Sequence, residues 1–143
     1  MRYAFFPGCT LESAAEELMI STKKVAAALG IELIELEGWT CCGASHIQDV
    51  SDVLATSINA RNISLAEDLK VDKLLTVCNT CTLMLRTAKL KMDKNEKMRN
   101  QVNEGLNRAG LEYKGTVEVT HFLWALIEDY GLENLRKMVR RPL

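Results

Sequence analysis

The apolar positions of this chain change period repeatedly, and each change marks an element boundary. Tyr3 to Phe6 is a short apolar run halted by Pro7-Gly8, the pattern of a buried strand. Ser13-Ala14-Ala15-Glu16 has capping-box form, and Ala15, Leu18, Met19, Val25, Ala26 and Leu29 follow at roughly helical spacing until Gly30, which predicts a first helix. Ile31 to Glu37 predicts a second strand, with Ile31, Leu33 and Leu36 apolar. A second capping box, Ser45-His46-Ile47-Gln48, opens a mostly helical pattern through Ile47, Val50, Leu54, Ile58, Leu65 and Leu69, with a break expected near Asn62. Val71 to Val77 predicts a third strand, and Asn79-Thr80 a cap for the helix that Cys81 enters. That polar helix, or pair of helices, is expected to run to about Ala109 and to stop at Gly110. Val117 to Thr120 predicts a fourth strand with His121 at its end, and Phe122 to Tyr130 and Leu132 to Val139 close the pattern as helix.

Strands alternating with helices predict an α/β fold: a small, mostly parallel, Rossmann-like sheet of about four strands flanked by helices, in one domain spanning residues 1–143. In such sheets ligands collect beyond the carboxyl ends of the strands. Cys9, Cys41, Cys42, Cys78 and His121 all fall at or just past predicted strand ends, so segments remote in sequence are expected to meet on one rim.

Composition narrows the setting. A chain of 143 residues, 48% apolar and 26% charged, resembles an ordinary soluble globular domain whose core needs no disulfide staples. A net charge of −1 gives no reason to expect a nucleic-acid partner, and the basic end, Arg136-Lys137-Met138-Val139-Arg140-Arg141, reads as a solvated face. The apolar run at the N-terminus is too short for a signal peptide, and nowhere do about 20 apolar residues run together to span a bilayer. A cytoplasmic location without a direct membrane span is therefore expected. In a reducing compartment, patterned cysteines point to metal binding or catalysis before disulfides.

All five cysteines belong to one pattern. Thirty-one residues separate Cys9 from Cys41, Cys42 follows directly, thirty-five more lead to Cys78, and Cys81 closes a C-x-x-C. Adjacent α-carbons lie about 3.8 Å apart, less than the roughly 4.4–6.8 Å of an unstrained disulfide. Cys41 and Cys42 are thus expected to face one large inorganic body, with Gly43 permitting a sharp turn. Other readings account for less. Free cysteines do serve as small buried hydrophobes, but each here lies beside Gly, Thr or Asn. Zinc takes four ligands and would leave one thiol over, and a thioredoxin-like C-x-x-C ignores the other three. The common iron-sulfur centres use four thiolates, and a fifth points to an unusual cluster or to a cysteine that engages substrate. Helix N-termini after these turns favour thiolate, at Cys81 most directly, and the amides around Gly8, Gly43 and Asn79 are candidate donors to sulfur. His46 is a candidate proton donor to a departing thiolate. His121 reads as a packed or hydrogen-bonded strand end, Trp39 as a wall of the site and Trp124 as core.

Tyr3 to Phe6 leading into Pro7-Gly8-Cys9-Thr10-Leu11-Glu12, then Trp39-Thr40-Cys41-Cys42-Gly43-Ala44-Ser45, Ala60-Arg61-Asn62 with Leu65-Ala66-Glu67, Cys78-x-x-Cys81 and Arg141-Pro142-Leu143, together resemble the CCG-domain family of iron-sulfur proteins. Within it the chain is most similar to the first half of the B subunit of heterodisulfide reductase, over nearly its whole length. The resemblance implies that Cys9, Cys41, Cys42, Cys78 and Cys81 are iron ligands of a noncubane [4Fe-4S] cluster. It also implies a thiol-disulfide oxidoreductase, fed by ferredoxin-like iron-sulfur and flavin-containing subunits, that passes electrons to a disulfide substrate such as the mixed disulfide of coenzymes M and B. The B subunit carries two such domains with substrate between their clusters. A second CCG domain, or a copy of this chain, is therefore the implied partner, and one domain alone is not expected to catalyse. The same cysteine set is similar to iron-sulfur subunits of lactate- and glycolate-oxidising systems and of some succinate dehydrogenases, for which the implied role is electron relay. A zinc-stabilised interaction module without redox function is the remaining alternative.

Overall fold

The computed structural model describes residues 1–140; Arg141-Pro142-Leu143, the last part of the family-like pattern, lies outside the described residues. Strands β1 (Arg2–Phe6), β2 (Glu32–Glu35), β3 (Lys73–Thr76) and β4 (Glu118–His121) form one parallel sheet in the order β2-β1-β3-β4. The α/β sheet read from the sequence is thus present. Because β2 lies on one side of β1 and β3 on the other, the chain leaves β1 and β3 in opposite directions. That opens a crevice at their carboxyl ends, the usual ligand position in an open parallel sheet.

Side chains alternate between the two faces with period two. Ala4, Phe6, Leu74 and Val119 point to one core, shared with α3 (Asp52–Asp68), α4 (Asn79–Lys94) and α5 (Glu96–Asn107); Tyr3, Phe5 and Leu75 point to the other. The second core is closed by α1 (Glu16–Ala28) and by the chain after β4: α6 (Phe122–Trp124), a π-helical stretch (Ala125–Gly131) and α7 (Leu132–Met138). Trp124, expected in the core, is 49% exposed, because the residues of this segment that face the sheet are Phe122, Ala125 and Leu126. At the amino end of the sheet Asp129 accepts from the Tyr3 hydroxyl at 2.8 Å and pairs with Lys73 at 2.5 Å. Burial raises the Asp129 pKa, but the Lys73 ammonium and the Tyr3 hydroxyl outweigh it and hold the carboxyl below its ordinary range.

Helix starts differ from the capping-box reading. Ser13 caps nothing: its hydroxyl donates to the Cys9 carbonyl at 2.9 Å, and α1 begins only after Ala15. Ser45 likewise makes no cap, and α2 is a single turn, Ile47–Val50. The expected break near Asn62 falls instead at Ser51, whose hydroxyl accepts from the Leu54 amide and starts α3, unbroken through Asn62. Asn95, accepting from Met98, divides the long polar helix into α4 and α5. At Ser51 and Asn95 the side chain that found an orphan amide set the boundary, whereas α1 and α2 start without a side-chain cap.

Candidate metal centre

Three loops deliver the five thiols to the switch point. Cys9 follows β1, Cys41 and Cys42 follow β2, and Cys78 and Cys81 follow β3. Cys9 and Cys41 are exposed at the mouth, with their sulfurs 3.6 Å apart, whereas Cys42 and Cys81 are buried and Cys78 lies between. Cys42 interacts with both Cys41 and Cys81, and Cys81 with Cys78, so the sulfurs form a string in the order 9, 41, 42, 81, 78. All five are free thiols. Among the described residues, no three His, Cys, Asp or Glu side chains form a group that would hold a single metal ion.

The turns are built by glycines and by α3. Gly43 has φ +71°, and a β-carbon there would stand 2.8 Å from the Ile47 side chain, so this reversal requires glycine. Gly8, at φ +76°, lies so close to the floor of the site that a β-carbon would meet the Cys81 sulfur at 3.1 Å. Asn62, fully buried, holds Thr40 from both sides, its Oδ1 accepting the Thr40 amide at 2.9 Å and its Nδ2 donating to the Thr40 carbonyl at 2.8 Å. Asn59, also fully buried, donates to the Cys42 carbonyl at 2.9 Å, and Arg61 donates to the Gly38 carbonyl at 2.8 Å. Asparagine inside a helix sacrifices propensity; two of them on the buried flank of α3 are explained by the loop they grip.

Backbone amides also reach sulfur. The Gly43 amide donates to Cys41 and the Cys81 amide to Cys78, both at 3.5 Å, so Cys78 rather than Asn79 caps α4. The buried pair shifts in opposite directions. The Cys81 thiol donates to Cys42 and, with the Ala44 amide, outweighs burial to bring Cys42 down to about 6. That same bond, together with burial, pushes Cys81 up, so the helix terminus expected to favour a thiolate at Cys81 is overruled. Cys41 is raised: the Gly43 amide lowers it, but burial and the neighbouring Cys9 and Cys42 prevail. Trp39 is half-buried and packs edge-on against Phe6, the ring centroids 5.2 Å apart, beside the Cys9 loop. His46 is exposed at the start of α2, and His121 is buried at the end of β4.

The motif spacing and the fold agree with what known proteins show. Residues 3–86 match the CCG cysteine-rich domain model. The chain is 45% identical over 141 residues to the 8-methylmenaquinol:fumarate reductase membrane anchor subunit of Wolinella succinogenes, a match covering 99% of this chain and 48% of that protein. It is 33% identical to an Archaeoglobus profundus protein named for its likeness to the B subunit of heterodisulfide reductase, over 100% of this chain and 48% of the relative. The B subunit of a ferredoxin/F(420)H(2)-dependent CoB-CoM heterodisulfide reductase from Methanosarcina acetivorans is 31% identical over 99% of this chain and 47% of its own length. The chain thus spans about half the length of these relatives. The crystal structure of a hypothetical protein from Helicobacter pylori shares the fold, with a TM-score of 0.74 and 24% identity, over 84% of this chain and 24% of that one. On the family model and on the arrangement of its five thiols, this chain belongs to the CCG family of cysteine-rich iron-sulfur domains, whose matched relatives are reductase subunits.

Proposed function

We propose that Cys9, Cys41, Cys42, Cys78 and Cys81 together hold one noncubane [4Fe-4S] cluster and that the chain relays electrons through it within a reductase complex. The observation that carries this reading is the string of five sulfurs drawn from three loops onto one switch point. A string suits a body several ångström across better than the closed tetrahedron that zinc requires. The chain's own residues would do the rest. Asn59, Arg61 and Asn62 fix the Cys41-Cys42 turn, the Gly43 and Cys81 amides donate to sulfur, and the Phe6–Trp39 pair shields the Cys9 side. Bound there, a cluster supplies one-electron storage at a potential tuned by those hydrogen bonds and by exposure.

The greater identity to the quinol:fumarate reductase subunit favours electron relay in a complex of that type. No helix among the described residues is long and apolar enough to cross a membrane, so membrane attachment would come through partners or through another part of such a protein. A second reading, thiol-disulfide reduction, is favoured by the heterodisulfide reductase relatives, which align along the whole of this chain. In that reading exposed His46, three residues past Gly43, is the proton donor to the departing thiolate. Either reading calls for a second cysteine-rich half or a copy of this chain; ferredoxin-like and flavin-containing subunits would donate electrons in the disulfide reading and accept them in the quinol:fumarate reading.

Anaerobic purification followed by visible absorption and iron, sulfide and zinc analysis tests the proposal. Brown protein with about four iron and four sulfide per chain is expected; colourless protein with one zinc would overturn it. Oxidised protein is then mixed with a quinol analogue and reduced protein with a disulfide, and the reactant that changes the cluster spectrum identifies the reaction.

A further inference from the structure

We propose that His121 donates a hydrogen bond from Nε2 to the group held by the five cysteines, at its Cys78 edge, and so helps to set that group's potential. The proposal rests on the cluster reading above. His121 ends β4 and is only 8% exposed. Its Nδ1 accepts from the Leu123 amide at 3.2 Å, which leaves the ring proton on Nε2. That Nε2 is buried without a partner among the described residues. A buried donor of this kind calls for an acceptor that the protein alone does not provide.

Register shows where the acceptor would lie. His121 pairs with Thr76 and Val119 with Leu74, one strand spacing of about 4.8 Å apart. By the two-residue alternation, Thr76 and His121 face the same side as Leu74 and Val119, the core that also contains Cys42 and Cys81 with Cys78 packed against it. Thr76 Oγ1 in turn accepts the Cys78 amide at 3.3 Å, so the cysteine loop is tied to the residue beside His121. Helix α4 covers the same region, its Arg86 Nε donating to the Val119 carbonyl at 2.9 Å. α4 starts at the carboxyl end of the sheet and runs away from it, so the turn before Arg86, with Cys81 and Thr82, lies toward His121. Thiolate and sulfide sulfurs are acceptors that lack a donor of their own, and an N–H donor complements them.

A donor stabilises the more negative, reduced state, so its removal should lower the potential. The test compares the anaerobically loaded parent chain with His121→Leu and His121→Gln by iron and sulfide content, thermal melting and electron paramagnetic resonance-monitored redox titration. Similar loading, a more negative potential in His121→Leu and substantial recovery in His121→Gln, whose amide nitrogen can replace Nε2, are expected. A loaded His121→Leu protein with the parent's potential would overturn this inference and leave the cluster reading intact. A parent chain that takes up no iron would overturn both. Should His121→Leu fail to fold, the parent carrying nitrogen-15 histidine decides the matter: a hyperfine coupling that persists in His46→Ala supports the contact, and its absence refutes it.

Discussion

The two faces of the sheet are packed by different means. On the face of α3, α4 and α5 the core is mixed: fully buried apolar side chains such as Ile63, Leu74 and Leu85 are joined by buried polar ones, three of which grip loops. Asn59 and Asn62 hold the cysteine turn, and Glu67, 7% exposed, accepts the amides of Lys114 and Thr116 ahead of β4. On the face of α1 and the C-terminal helices the core is smaller and mainly apolar, built on Tyr3, Phe5, Leu75 and Phe122. The difference shows on which side the fold fixes its loops by directional bonds. Loops that must aim five sulfurs are tied by directional bonds, which apolar packing cannot replace because it does not specify orientation.

The largest expected effect sets one core against the other. Leu85→Ala should cost about 2–5 kcal/mol and lie toward the upper end of that range, because its site is closed on every side, whereas Leu126→Ala, 9% exposed on the other face, should lie toward the lower end. Denaturant titrations giving equal losses would erase the contrast. Next comes the polar clamp. Asn62→Ala strips both bonds from Thr40, an expected cost of about 1–2 kcal/mol, and should reduce iron retained after anaerobic loading. Ser51→Ala, the loss of a cap worth about 1 kcal/mol, should leave loading unchanged; a parallel fall in both variants would make Asn62 merely structural.

The smallest effect concerns the Tyr3–Asp129–Lys73 tie on the face of the smaller core. Because the folded protein holds Asp129 below its ordinary pKa of about 4, the stabilisation is present above that pH and is lost as pH falls through the lower, folded value. Asp129→Asn should therefore flatten the acid limb of a stability-versus-pH curve by under about 1 kcal/mol. Identical limbs in parent and variant would show that the tie contributes nothing.

Much of the scaffold was legible in the chain. All four strands lie within one residue of, or inside, their expected spans, because short apolar runs stopped by Gly, Pro or polar clusters have few other ways to be buried. Helix starts were less legible: Ser13 and Ser45 fit the capping motif, yet Ser51 and Cys78 made the caps. A motif states what a side chain can accept, and only the folded loop decides which amide arrives. Trp124 read as core, yet Phe122, Ala125 and Leu126, at i, i+3 and i+4, take the face toward the sheet and leave the indole exposed.

The sequence by itself determined that the cysteines lie just past strand ends, and strand ends in an alternating α/β chain gather on one edge of the sheet. The contacts of Asn59 and Asn62 and the unpartnered Nε2 of His121 were decided only by tertiary structure. Nothing local marks a helical asparagine as a clamp or a strand-end histidine as an unpaired donor until the partner loop is in place. The lowering of the Cys42 pKa depends on tertiary structure in the same way, because Cys81, thirty-nine positions along, donates to it.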